Sequence, residues 1–362
     1  MTVEPTSPAP AAASMSRTVP RIADLDALRG LAALAVVLFH YTSRYQELYG
    51  HASPVWLEVP WGHHGVELFF AISGFVIFMT LDRCRRLTDF AVSRASRLYP
   101  AYWAAIALTT LILAVASRTD LLRSPAEIAI NLTMTQSFLR VDSVDGVYWT
   151  LSVELAFYCA AALLWRLGLL RRIEPILLAW MALKWLWTFS RPLLGFEPSW
   201  LLGALLIEQY IPYFALGIAA WRLRSGAASP RAAGMLVAAS LATVAACDGA
   251  EYLLVAVISG GAIFGVALAR VPLIGARPLL WLGAVSYSLY LLHQYIGFSL
   301  IARLEASGLD ANAAIALTLT ALLALATAVT RWVEQPALRA IRRWHAARGP
   351  DQPQPAAIAP AE

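Results

Sequence analysis

Ten apolar runs follow one another along this chain, and a helix that crosses a bilayer core needs about 20 such residues. They occupy roughly Leu25–Ser43, Gly62–Leu81, Leu98–Ser117, Tyr148–Leu167, Ile173–Phe189, Trp200–Trp221, Ala232–Cys247, Ala250–Ala269, Leu279–Ile301 and Ala311–Val333. The seventh is short, and its turn to the eighth, "CDGAE", is tight. Charged residues are 14% of the 362, against about a quarter in soluble domains. The expectation is one all-α polytopic transmembrane bundle, and no internal repeat breaks it up.

Orientation follows from the basic residues that flank the runs. With the N-terminus inside, the inner segments carry 20 Arg and the outer ones 6; Arg29 and Lys184 lie within runs. The bias alternates down the chain, so a missed or invented span would reverse it. It predicts ten spans with both termini inside. The first twenty residues, rich in Pro, Ala and Ser, read as a disordered tail rather than a signal peptide, because the first apolar run begins late and ends in "FHYTSRY". A bundle over residues 21–343 and a second polar tail over 344–362 complete the expected organisation. The long outer connection, Arg118 to Val147, contains "PAEIAINLTMTQSFL", a candidate amphipathic surface helix.

Other classes have little support. There is no basic stripe interleaved with aromatics outside the runs, so no nucleic-acid partner is expected. Cys84, Cys159 and Cys247 lie far apart in sequence and form no metal or redox motif.

Ionisable groups inside a bilayer cost about 2.5–3.5 kcal/mol each on insertion scales, so they mark candidate functional positions. Arg29 and His40 are eleven positions apart, which on a helix leaves them about 20° out of line and about 16 Å apart in rise. They share a face, with Arg29 near the cytoplasmic end and His40 near the outer end. Snorkelling and interfacial placement would also account for them. In the second run "GHHGVELFFAISGFVIF" puts His63, His64 and Glu67 at the outer end; His63 reads as an interfacial residue. In "FAVSRASRLYP", Arg94 and Arg97 share a helix face and suit a phosphate, although contact with anionic lipid explains the pair as simply. "YWTLSVELAFY" sets Trp149, Ser152 and Glu154 in the outer part of the fourth run. Lys184 and Glu208 are a candidate ion pair between the fifth and sixth. "SYSLYLLHQYIGF" carries Ser286, Tyr287, Tyr290 and His293. Arg29, Arg94 and Arg97 thus gather toward the cytoplasm, and His40, Glu67, Glu154 and His293 toward the outside.

In this order "LDALRGLAALAVVLFHY", "GVELFFAISGFVIF", "FAVSRASRLYP", "YWTLSVELAFY", "VSYSLYLLH" and "RWVEQP" closely resemble the acyltransferase-3 membrane family. The resemblance covers about Arg21 to Arg343. It implies a bacterial inner-membrane O-acyltransferase, a group that includes modifiers of O-antigen, peptidoglycan, Nod factors and macrolides. It also implies ten core helices and an acyl-CoA donor, most often acetyl-CoA, on the cytoplasmic side, with no bound cofactor or metal. The family's essential first-helix Arg and His correspond to Arg29 and His40, and its paired-Arg motif to Arg94 and Arg97. Trp149 to Glu154 match a further motif, with Thr150 where Ser is usual. Some members carry a fused periplasmic domain, and none is expected here.

The expected reaction is acyl transfer to a hydroxyl of a glycan or glycosylated acceptor. His40 is the expected general base, with an acyl-His intermediate as a variant. Glu67 or Glu154 would orient the imidazole. Arg94 and Arg97 would bind the donor, and Arg29 would bind the donor or steady the thioester. Trp149, Ser152, Tyr287 and His293 would contact substrate. A glycan or lipid transporter would explain the helices and buried charges equally well, but not the motif order.

Overall fold

The computed structural model describes residues 23–195, 199–268 and 276–348. The predicted tail over residues 1–20 lies outside them, as do Arg17, Arg21 and Arg270 of the charge census. The helices run α1 Ala23–Phe39, α2 Tyr45–Leu48, α3 Gly65–Leu81, α4 Leu87–Val115, α5 Pro125–Asn131, α6 Trp149–Arg166, α7 Ile173–Leu194 and α8 Trp200–Leu205. They continue with α9 Ile211–Arg224, α10 Pro230–Cys247, α11 Ala250–Leu268, α12 Arg277–Leu292, α13 Gln294–Ala306, α14 Ala311–Val329 and α15 Gln335–Ala347. There is no strand among the described residues.

Helix starts follow from local chemistry. Asp310 caps α14 by accepting from the N–H groups of Asn312 and Ala313. Ser229 caps α10 ahead of Pro230, whose missing N–H costs nothing in a first turn. Among the described residues, six helical stretches are long and apolar enough to cross a membrane: 60–81, 87–115, 146–166, 230–247, 250–268 and 311–347. The other four expected runs also fall on helix, but differently. Residues 23–39 make a 17-residue helix, and α7 covers the fifth run. The sixth breaks between α8 and α9, where Ile207 takes a left-handed φ of 46°. The ninth breaks at His293 between α12 and α13. Two further helices are locally widened. Tyr45 N–H reaches back five residues to the His40 carbonyl, and Gln335 N–H to that of Thr330.

The expected surface helix in the long connection is cut to α5, held by a capping box between Ser124 and Glu127. The chain then turns inward at Met134, which is fully buried at a φ of 64°. Asn131 pins this fold-back, donating to the carbonyls of Glu127 and Asp142 and accepting from Val144 N–H. At the far end α15 runs to Ala347, three residues past Trp344, where a disordered tail was expected; residues 349–362 lie outside the described ones.

Two helix pairs approach so closely that only glycine fits. A Cβ on Gly283 of α12 would lie 2.0 Å from the Asp26 carbonyl oxygen of α1, and one on Gly30 would lie 2.7 Å from Gly283 N. Between α3 and α9, a Cβ on Gly74 would lie 2.2 Å from the Phe214 oxygen, and one on Gly217 would lie 1.8 Å from the Ala71 oxygen. In a membrane, where lipid is as apolar as leucine, such backbone contact drives association. Gly217→Ala is therefore expected to destabilise the bundle by about 1–3 kcal/mol, because the obstructing atom is backbone. Thermal melting in detergent checks this, and an unchanged midpoint would show that α3 and α9 part without cost.

Candidate functional site

α1 is regular up to Phe39, so Arg29 and His40 lie on one unbroken turn count before the helix widens at His40. Single widened turns of this kind recur at functional sites. Side chains brace this one. Thr42 Oγ donates to the Leu38 carbonyl and accepts from Val59 N–H. His51 Nε2 donates to the Tyr41 carbonyl, while its Nδ1 meets Glu305 Oε1 at 2.6 Å.

The break at His293 brings a second imidazole to the first. His293 Nε2 lies 3.2 Å from His40 Nδ1, with ring centroids 4.8 Å apart and nearly perpendicular. The surrounding carbonyls fix the tautomers, since a carbonyl can only accept. His293 Nδ1 is 2.8 Å from the Tyr290 oxygen, so it carries the proton and its Nε2 is an acceptor. His40 Nδ1 is 2.8 Å from the Val36 oxygen, so it too carries a proton, shared between that oxygen and His293. When the His40 ring is neutral, its lone pair is therefore on Nε2, the form a general base needs.

Three backbone groups at the α12–α13 joint are met by side chains. Tyr41 donates its hydroxyl to the His293 carbonyl at 2.9 Å, and Tyr148 to that of Leu291 at 3.1 Å. Asp145 accepts from Tyr295 N–H and Val147 N–H while fully buried. Tyr41, Tyr148 and Asp145 have no role expected from sequence. The signal for Asp145 and Tyr148 is the polar stretch leading into the fourth span, "VDSVDGVYW".

Asp145 lies in the connection before α6, outside the spans. Burial pushes its carboxyl up to about 7, against the pull of the two N–H donors. The folded state then holds a proton that the unfolded chain releases near 3.8, so this group's contribution to stability is complete below that value and is lost as pH rises through about 7. Wild-type protein is expected to melt lower at pH 8 than at pH 5, by a larger margin than Asp145→Asn. Parallel pH profiles for the two proteins would refute the assignment.

Neither carboxylate expected to orient His40 touches it. Glu154 Oε1 accepts from Ser73 at 3.0 Å and from the Tyr158 hydroxyl. It faces Arg29 instead, which lies within electrostatic reach of Glu154, Asp26 and Arg97. Glu67 sits 3.5 Å from His64 Nδ1. The side chain that meets His40 is instead His293, expected from sequence among the substrate contacts. Two other expected substrate contacts are turned inward. Ser152 donates to the Met134 carbonyl at 2.8 Å and Tyr287 to that of Leu98 at 2.9 Å. Trp149 packs on Tyr210 with centroids 5.6 Å apart.

The expected arginine pair is unequal. Arg97 pairs with Glu334, which closes the second widened turn and is 1% exposed, and it lies 5.6 Å over the Tyr287 ring. Glu334 also accepts from Ser288 at 2.9 Å. Arg94 donates to the adjacent Ser93, and its buried Nε has no partner. Of the two, Arg94 is the freer to meet an anion. Lys184 pairs with Asp248 at 2.8 Å rather than with Glu208, the partner expected from sequence.

The fold brings together one set of metal-ligand types that sequence spacing did not show. His63, His64 and Glu251 have ligand atoms within 4.8 Å of one another. His64 is already engaged by Glu251 at 3.2 Å, and His63 Nδ1 by the Pro60 carbonyl at 2.7 Å, so the set reads as an ion-pair network.

In comparisons with known proteins, residues 22–332 match a family described as "Acyltransferase domain". The chain is similar to Nodulation protein 10 of Rhizobium leguminosarum bv. viciae, 28% identical over 40% of this chain and 45% of that one. It is also similar to the exopolysaccharide production protein ExoZ of Rhizobium meliloti (strain 1021), 27% identical over 44% of this chain and 57% of the other. The matched regions thus span about half the length of these curated relatives. No solved structure matches the chain.

Proposed function

The chain belongs to the acyltransferase-3 family, with a multi-pass helical membrane fold, and on that premise we propose that it moves an acyl group from cytoplasmic acyl-CoA to a hydroxyl of a glycan or glycosylated acceptor. Acetyl is the favoured group. The proposed setting is a bacterial inner membrane, crossed ten times with both termini inside. The observation that carries this reading is the placement of His40 Nδ1 between the Val36 carbonyl and His293 Nε2, which puts the lone pair of the neutral ring on Nε2.

In this reading His40 Nε2 takes the proton of the acceptor hydroxyl as its oxygen attacks the thioester carbonyl. The new C–O bond forms, the C–S bond breaks, and the imidazolium returns the proton to the departing thiolate. Arg94 Nε, buried and unpartnered, supports a phosphate contact. Arg29 lies about 16 Å below His40 along the helix, and an extended pantetheine arm would bridge that depth. The relative named for exopolysaccharide production favours a polysaccharide acceptor.

The test supplies acetyl-CoA to purified protein with a bacterial polysaccharide and follows CoA release and acetylation of the glycan. Acceptor-dependent CoA release with a 42 Da gain on the glycan is the expected result. Glycan passage across a proteoliposome membrane without consumption of acetyl-CoA would replace this reading with transport.

A further inference from the structure

We propose that a cavity lined from α3, α9, α11 and the break before α9 is a saccharide subsite, which holds a sugar ring of the acceptor other than the one that is acylated. This rests on the acyl-transfer reading and adds to it that the acceptor has at least two sugar units.

The cavity encloses about 230 Å³ and is lined by Glu67, Gln209, Tyr210, Tyr213, Asp248 and Tyr252. That is just below the roughly 300 Å³ at which pockets for drug-sized ligands begin, so it suits one small ring. One of its polar groups is buried without a partner: Tyr213 is 2% exposed and its hydroxyl makes no hydrogen bond. Glu67, 7% exposed, also lines the cavity, with its Oε2 3.5 Å from His64 Nδ1. Buried polar groups are nearly always hydrogen-bonded, so a hydroxyl left open at a cavity points to a ligand that partners it.

The backbone beside the cavity points the same way. The sixth expected span is broken between Leu205 and Ile211, and irregular backbone at membrane depth is tolerated where it lines a cavity. The freed carbonyls are met from outside the break, that of Leu206 by Trp180 Nε1 at 2.7 Å and that of Gln209 by Lys184 at 3.2 Å. Gln209 and Tyr210 are thereby held at the cavity without a helix.

The chemistry of the lining selects the ligand class. Asp248 is neutralised by Lys184, and Glu67 faces His64, so the lining does not present a bare pair of carboxylates to a cation. What remains is one carboxylate oxygen, one amide, and the rings and hydroxyls of three tyrosines. Vicinal hydroxyls match those donors and acceptors, and the apolar face of a sugar ring matches the aromatic surface. The cavity does not open directly onto His40. Phe39 touches His40 and His63 at 5.0 Å each, His63 touches His64 at 3.9 Å, and His64 touches Tyr252 at 5.2 Å. With this row of rings between them, a sugar in the cavity is not the one whose hydroxyl reaches Nε2.

The experiment titrates purified full-length protein in nanodiscs with methyl β-glucoside and methyl β-cellobioside, without acyl donor, and reads binding by saturation-transfer NMR. Saturable binding is expected, tighter for the disaccharide. Tyr213→Phe and Glu67→Gln are each expected to weaken it tenfold or more with an unchanged melting temperature. Absence of binding, or equal binding in the variants, would overturn the subsite. Binding of calcium or zinc chloride that depends on the same two residues, with no saccharide effect, would make it a cation site and overturn it as well. The two readings fail separately. Variant-sensitive saccharide binding without any acetyl transfer sinks the enzyme and leaves the subsite. Transfer to a saccharide that binds both variants normally sinks the subsite alone.

Discussion

Replacing His40 with alanine is expected to lower acyl transfer by about 10²–10⁴-fold, the range that a positioned proton acceptor supplies, and to leave folded protein in the membrane. The ring's protein contacts are few: one bond to the Val36 carbonyl, one to His293, and edge contacts with Phe39 and Phe298. Removing it strands only His293 Nε2, which is far less costly than removing a helix contact. The measurement is turnover of acetyl-CoA with acceptor, paired with a melting curve. Activity within a factor of two of wild type in a folded His40→Ala protein would remove the residue from the chemistry. His293→Phe gives the complementary result, because it deletes the acceptor that shares the His40 proton and keeps the bulk. It should cost less than His40→Ala and should shift the pH at which transfer is half-maximal, a readout that a packing defect would not move.

The largest expected effect on stability is at Glu334. Its carboxylate serves Arg97, Ser288 and Thr330 together and is almost wholly out of solvent. Glu334→Ala leaves the Arg97 guanidinium without its counter-charge, and breaking a buried pair in this way costs about 3–5 kcal/mol. The double change Arg97→Met with Glu334→Gln removes both charges and is expected to recover most of that loss, since uncharged replacements of a buried pair are often neutral or better. A double variant that melts as low as Glu334→Ala would show that the pair does more than satisfy itself.

Much of the helix pattern could be read ahead because its determinant is local. A run of twenty apolar residues has few alternatives in lipid, and every expected span falls on helix. The break at His293 was not legible, because nothing in its segment disfavours a helix, whereas that at Leu206–Tyr210 had a local signal in Pro212, which cannot donate to the Glu208 carbonyl and sits in the first turn of α9. They exist because distant side chains satisfy the opened backbone: Lys184 and Trp180 at one, Tyr41, Tyr148 and Asp145 at the other. The same limit applies to partners. Periodicity placed Arg29 and His40 on one face, but it could not choose between Glu208 and Asp248 for Lys184. Nor could it give His40 a histidine rather than a glutamate. Glu334 was visible in "RWVEQP", yet only the fold shows that it occupies Arg97 and makes the two arginines unequal.

The two imidazoles stand 253 residues apart in the chain. At about 5–20 residues per second, a ribosome makes His293 roughly ten to fifty seconds after His40. Through that interval the first helix is already made, yet its histidine has no second ring to share its proton with. The ring pair therefore forms late in synthesis, and a chain released before His293 carries the motif of its first helix without its second imidazole.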